Sequence, residues 1–371
     1  MTFQILPSEP APAEPRAAAW RLNPFLHVDA ERVYNPLTDA SVVPGDAAWP
    51  ELRRLLDGSL DPADLAGADR RALASGSWLV PADEDPARAF LLKYVSLEAH
   101  TLCNQGCYFC PVAFDRRETY FMPTETYEDI LDQVAAYRDT VEAVFMINYN
   151  EPTADKRFVD QVAAIKSRGL PPATLTNGTG LTPKRVDRLL ELGGLRFLSI
   201  NLSTLDRERY AAEREGDHLD LVLRNLDYAK DLPLAEEMDV VVLGKGDDVH
   251  TSDFEAIRER FAGSRFRVKQ FEVMDRAGYL QIGLSARNKT LCGCDNFGSR
   301  PLQHVHITPH GKCLLCCEDY DERYVVGDLA EQSLDEVLTG PALATMRRWV
   351  YGMEEAPADF ICRSCVFART R

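Results

Sequence analysis

Between residues 91 and 273 short apolar runs alternate with longer amphipathic stretches at a regular beat. "LLKYVSLEAH", "EAVFMINYN", "PATLTNG", "LRFLSINLS", "EMDVVVLG" and "FRVKQFEVM" are apolar runs, most rich in β-branched and aromatic residues, that read as strands. Between them "PTETYEDILDQVAAYRD", "DKRFVDQVAAIKSRG", "TPKRVDRLLELGG", "DLVLRNLDYAKDL" and "SDFEAIRERFAG" repeat their apolar residues at helical spacing. Six strands joined by crossover helices predict parallel pairing and an α/β barrel, open or closed. Functional side chains of such barrels lie just after the strand C-termini. At those places stand Cys103, Cys107 and Cys110 (first strand), Asn150 and Glu151 (second), Asn177 (third), and Asn201 and Ser203 (fourth).

The flanks follow other patterns. Residues 1–23 hold Pro7, Pro10, Pro12 and Pro15 among alanines and glutamates, which predicts a loose tail. Residues 24–86 predict a small domain: short apolar runs, the helical stretches "AWPELRRLLDG" and "DPADLAGADRRALASG", and the strand "SWLVPA". Asp61 before Pro62 reads as a helix N-cap, with Gly58 and Gly76 as stops.

Charge and cysteine usage narrow the chemistry. A net charge of −16 leaves no Lys/Arg excess for a phosphate backbone, which argues against nucleic acid as a partner. No run approaches the roughly 18 apolar residues of a membrane span, and the N-terminus has no signal-like apolar core, so a cytoplasmic location is expected. Ten cysteines in such a chain read as metal ligands or redox groups rather than disulfides. They form a group of three, in "CNQGCYFC", and a later group of seven. Structural zinc takes four closed ligands, so three thiols in one loop suit it poorly. An iron–sulfur cube held by three thiolates leaves one iron open to an exchangeable ligand.

"CNQGCYFC", with Phe109 before its last cysteine, resembles the three-cysteine loop of the radical S-adenosylmethionine (radical SAM) superfamily. The resemblance implies a partial (β/α)6 TIM-like barrel over 91–280. It also implies a [4Fe–4S] cluster on Cys103, Cys107 and Cys110, whose open iron takes S-adenosylmethionine (SAM), and reductive cleavage of SAM to a 5′-deoxyadenosyl radical that abstracts a substrate hydrogen. A reduced flavodoxin or ferredoxin would supply the electron. "NYNEP", Asn148 to Pro152, resembles the segment after the second strand, where Glu151 would accept from the SAM ammonium. Phe109, Asn150, Asn177, Asn201 and Ser203 are further candidates for holding the cofactor, and Arg214 for clamping its carboxylate.

Residues 285–371 resemble the SPASM and twitch extensions of that superfamily, which carry one or two auxiliary [4Fe–4S] clusters. The candidate ligands are Cys292, Cys294, Cys313, Cys316, Cys317, Cys362 and Cys365, with Cys294, Cys316, Cys362 and Cys365 the set for a single cluster. His304 and His306 are conceivable additional ligands, and zinc stays open for this group. Glu318 and Asp319 stand beside these cysteines as candidate catalytic bases. Residues 24–86 resemble, more weakly, the winged-helix recognition domain of enzymes that modify ribosomally made peptides, in which a leader peptide adds a strand to a sheet edge. The expected function is therefore crosslinking, dehydrogenation or epimerisation of a precursor peptide. Dehydrogenation or epimerisation of a small amino sugar or aminocyclitol is the second reading, and a zinc-stabilised binding module the non-enzymatic one.

Overall fold

The computed structural model describes residues 19–370. Most of the expected tail, residues 1–18, lies outside them, but its end is ordered differently from expectation: Trp20–Leu22 is a strand, antiparallel to Leu79–Pro81. Two compact units follow, divided after Pro86.

The first unit contains this strand pair, a three-stranded antiparallel sheet (His27–Val28, Val33–Asn35, Ala40–Val42) and two helices, Trp49–Leu56 and Gly67–Ser75. Val33, Val42, Leu52, Leu55, Leu65, Leu73, Trp78 and Leu79 close its core. Asp61 caps as expected, accepting from the Ala63 amide at 2.8 Å, but what it caps is the 3-10 turn Pro62–Asp64. Leu65 then turns extended, so the helix begins only at Gly67.

In the second unit six strands, Tyr94–Leu97, Ala143–Phe145, Pro172–Thr176, Leu195–Asn201, Ala235–Gly244 and Arg267–Glu272, each pair in parallel with the next. The helices Thr124–Ala135, Phe158–Ser167, Pro183–Glu191, Leu219–Ala229 and Asp248–Arg260 connect them, with an extra helix, Arg207–Arg214, in the fourth connection. Arg267 and Lys269 on the last strand both bind Asp239 of its neighbour, and such charges suit an edge.

The sheet does not end at its first strand. His304–Ile307 pairs in parallel with Tyr94–Leu97, and Lys312–Leu314 and Val325–Asp328 extend it antiparallel to nine strands. Expecting an independent C-terminal domain missed this join. All four residues of His304–Ile307 are buried, as a strand inside a covered sheet requires. Beyond the sheet, Gly293–Cys294 pairs with Ala368–Arg369.

Candidate active site

The first sheet strand delivers the chain to Glu98, whose buried carboxylate accepts both Arg117 guanidinium nitrogens and the Tyr149 amide. The three-cysteine loop then docks on the end of helix Arg207–Arg214. Gly106 and Tyr108 donate their amides to the Arg214 and Glu213 carbonyls at 3.0 Å, satisfying acceptors that a helix end leaves open. A Cβ at Gly106 would fall 2.2 Å from a carboxylate oxygen of the exposed Glu215 side chain, which would have to swing aside.

Cys103, Cys107 and Cys110 are free thiols. Burial, reinforced by their neighbours' negative charge, pushes Cys103 up to about 12; burial likewise pushes Cys110 to about 11 and raises Cys107. Without metal these thiols stay protonated, and a cation that replaces the protons stabilises them as thiolates. Three unpaired sulfurs within mutual electrostatic reach, on one short loop, fit an iron–sulfur cluster with one open corner.

Arg214 braces the loop. Its fully buried guanidinium donates to Gln105 Oε1 (3.3 Å), Ser203 Oγ (3.2 Å), Asn201 Oδ1 and Cys107 Sγ (3.6 Å), with the Phe109 ring 5.5 Å and the Tyr210 ring 5.1 Å from its Cζ. Four expected site residues, Cys107, Phe109, Asn201 and Ser203, thus meet around one cation, with Gln105 and Tyr210 beside them. Glu151 is buried nearby, its pKa raised by burial against the bonds it accepts. Those bonds come from the Thr153 amide (3.0 Å) and Thr176 hydroxyl (2.6 Å) on Oε1, and from the Asn177 amide (2.7 Å) on Oε2. The Asn177 side chain reaches the loop itself, donating to Asn104 Oδ1 at 2.8 Å. Asn150 is turned elsewhere: its amide nitrogen contacts the His100 ring and the Met146 carbonyl, both at 3.4 Å.

The later cysteines gather from three separate segments. Cys294 lies on its two-residue strand, Cys316 and Cys317 follow the Lys312–Leu314 strand, and Cys362 lies in the turn Ile361–Ser364 with Cys365 directly after it. Asn288 fixes that turn, donating to the Cys362 and Cys365 carbonyls at 2.8 Å each. Burial first, then the charges of Glu318, Cys294 and Cys317, pushes Cys365 up to about 12, and burial likewise raises Cys294 and Cys362. Within the vicinal pair Cys317 takes the negative charge more readily. It receives the Cys316 S–H and faces the buried Arg300 and the half-buried Arg276, which together outweigh burial.

Two expected members stand apart. Cys313 is fully buried in the hairpin, opposite Ile307 and Gly327, with the charge of Asp328 within reach, so it packs as a core residue. Cys292 is half-buried, its amide bonded to the Arg369 carbonyl. The acidic pair also divides. Both Asp319 oxygens are taken by the amides of Arg323 (3.0 Å) and Tyr324 (2.7 Å), so Asp319 ties a turn rather than facing the sulfurs. Glu318 is buried, with Oε1 3.9 Å from Cys317 Sγ and in an ion pair with Arg276 at 3.3 Å. His304 and His306 are core side chains, stacked at 4.0 Å and bonded to Ser96 (2.9 Å) and Asn148 (3.2 Å) respectively.

Sequence reasoning missed the residues that join the two groups. Tyr149 packs with Val112 and Tyr320 beside Cys103 and Cys110, and its hydroxyl donates to the Cys317 carbonyl. Arg276, in a left-handed backbone conformation (φ +53°), sits within electrostatic reach of both Cys110 and Cys317. Tyr149 stands inside the quoted "NYNEP" motif and was within reach of inspection; Arg276 and Arg300 carry no sequence signal at all. Among the described residues no three His, Cys, Asp or Glu side chains are spaced for a single metal ion.

Comparison with known proteins gives these arrangements a class. Residues 98–259 match the model of the Radical SAM superfamily, and residues 294–366 that of the SPASM iron–sulfur cluster-binding domain. The chain is an iron–sulfur oxidoreductase of the radical SAM type, using a [4Fe–4S] cluster, SAM and auxiliary iron–sulfur chemistry in its SPASM domain. It is 22% identical over 293 residues to an S-adenosyl-L-methionine-dependent 2-deoxy-scyllo-inosamine dehydrogenase of Niallia circulans, covering 74% of this chain and 93% of that one. Over 102 residues it is 32% identical to a tungsten-containing aldehyde ferredoxin oxidoreductase cofactor-modifying protein of Pyrococcus furiosus, 28% of each chain. Its fold is similar to that of Streptococcus suis SuiB bound to the precursor peptide SuiA (TM-score 0.55, 12% identity, 88% of this chain and 90% of that one).

Proposed function

We propose that the enzyme oxidises a ribosomally made precursor peptide, with Cys103, Cys107 and Cys110 holding the catalytic cluster and Cys294, Cys316, Cys362 and Cys365 an auxiliary one. A [4Fe–4S] cluster held by these three thiolates would supply one-electron reductive cleavage of SAM, with a flavodoxin or ferredoxin as the electron source. The protein's own residues do the rest. Arg214 holds the cysteine loop on its helix, and Glu151, tied to the loop after the third strand, would accept from the SAM ammonium. Asn177 positions Asn104, and Asn150 holds its own segment through His100. Glu318 takes the proton that leaves the substrate radical, and the remaining electron passes into the auxiliary site. Loss of one hydrogen atom, one proton and one electron makes the net change a two-hydrogen oxidation.

The observation that carries the peptide reading is the separate first unit, whose three-stranded antiparallel sheet ends in the edge strand Ala40–Val42 beside the exposed Val43. An extended leader peptide binds such an edge through main-chain hydrogen bonds. We infer that this unit is the winged-helix-like recognition domain and that the six parallel strands form the partial barrel around SAM.

Aminocyclitol dehydrogenation is the second reading, favoured by the match to nearly the whole length of the inosamine dehydrogenase. One experiment separates them. The full chain, reconstituted anaerobically with SAM and reduced flavodoxin, is offered a library of precursor peptides or 2-deoxy-scyllo-inosamine. Peptide-stimulated 5′-deoxyadenosine with loss of two hydrogens from the peptide is expected. Stimulation by the aminocyclitol alone would replace the first reading with the second.

A further inference from the structure

Arg300 opens the short helix Arg300–Gln303 that leads into the strand beside the catalytic-loop strand. Its guanidinium is 9% exposed. Nη1 contacts Cys317 Sγ and, at 3.4 Å, His306 Nε2; Nε has no hydrogen-bond partner. The Phe297 ring lies 5.5 Å from its Cζ. Glu318, the nearest candidate counter-ion by chemistry, is paired with Arg276 instead. A buried guanidinium left uncompensated is strongly unfavourable, so a negative group must answer it. The negative groups within reach are the sulfurs of Cys317 and Cys316, then the Glu318 carboxylate and Cys294; together they outweigh burial and hold its proton more firmly, and only Cys317 among them touches the guanidinium. Behind it His306 is locked by Asn148 and by stacking on His304.

We infer that Arg300 is a positioning residue of the auxiliary site, fixing the Cys317 sulfur and raising the reduction potential of the cluster held by the neighbouring thiols. The inference rests on the reading that those thiols bind a cluster. Charge and N–H···S bonds at the sulfurs are levers on cluster potential. A fixed cation favours the more negative, reduced state.

The test uses the full chain with Cys103, Cys107 and Cys110 changed to Ala, so that only C-terminal iron remains, and follows reduction by EPR-monitored titration. Arg300→Met and Arg300→Gln are expected to keep their iron and move the midpoint to more negative potential. A tenfold change in the reduction equilibrium is about 59 mV for one electron. Arg300→Lys should recover at least half the shift. The Gln variant, which keeps N–H donors, decides if the Met variant loses its cluster; loss from both neutral variants but not from Lys also supports the cation. An unmoved midpoint with iron retained, or loss from all three, overturns the inference. Absence of iron from the parent would overturn the cluster reading itself.

Discussion

Each cysteine group keeps a buried arginine against one of its sulfurs, yet the two guanidiniums live differently. Arg214 reaches Cys107 while also donating to three side-chain oxygens and lying between two aromatic rings. Arg300 reaches Cys317 with one histidine and the Phe297 ring beside it, no side-chain oxygen partner among the described residues, and an unpaired Nε. The first arginine is a brace, whose hydrogen bonds define where the loop sits. The second is a charge, answered by the Cys317 sulfur it touches and by the other thiols and Glu318 within reach. A local loop needs its geometry held; a site assembled from distant segments is held by the fold and has its electrostatics left to adjust.

The largest effects should fall on the loop. Cys103→Ala is expected to abolish 5′-deoxyadenosine formation and remove about four irons per chain, while the C-terminal iron stays. Cys294→Ala should do the reverse for iron: about four lost from the auxiliary site, with substrate-free SAM cleavage retained. Elemental analysis with product chromatography reads both. Iron falling together in the two variants would break the independence of the sites.

Glu318→Gln comes next. Removing the base while keeping its shape should lower product by about a hundredfold, leaving 5′-deoxyadenosine formation intact and so uncoupled from product. Asp319→Asn should instead cost about 1–2 kcal/mol in denaturant unfolding and leave that coupling unchanged, because its oxygens serve backbone amides. Equal uncoupling in both variants would show that the pair acts as one. A purely structural test of the brace is Arg214→Met, which strands the buried oxygens of Gln105, Asn201 and Ser203. About 3 kcal/mol of stability should be lost, with iron lost from the loop first.

How far these features were legible follows from whether their cause is local. The six parallel strands announced themselves because apolar runs and helical periods alternate within a few tens of residues; five observed strands fall inside the quoted stretches, and Ala235–Gly244 begins two residues before its own. The three-cysteine loop was equally plain, being eight consecutive residues. Joining His304–Ile307 to the first strand spans more than 200 residues, and no local period encodes such a pairing. Arg214 could be suspected because it follows the fourth strand, whereas Arg300 sits in no motif and matters only through what folding brings to it. In "DPADLAG" the cap was read correctly but the helix was begun too early, since Asp61 caps a single turn equally well.

The smallest effect sharpens the comparison most, because it concerns which thiols belong to the second site. Cys313 stands three residues before Cys316, close enough in sequence to seem part of the same ligand set. Its side chain is fully buried in the hairpin, and the strand pairing shifts register between Cys313 and Leu314. A bulge of this kind bends the strand and re-aims the residues beyond it. Cys313 therefore stays in the sheet core while Cys316 and Cys317 turn toward Cys294 and Arg300. Cys313→Ala should cost about 1 kcal/mol for the lost apolar contact and leave the iron count unchanged. Loss of about four irons in this variant, measured on folded protein, would put the sulfur in a cluster and the bulge on the wrong side of it.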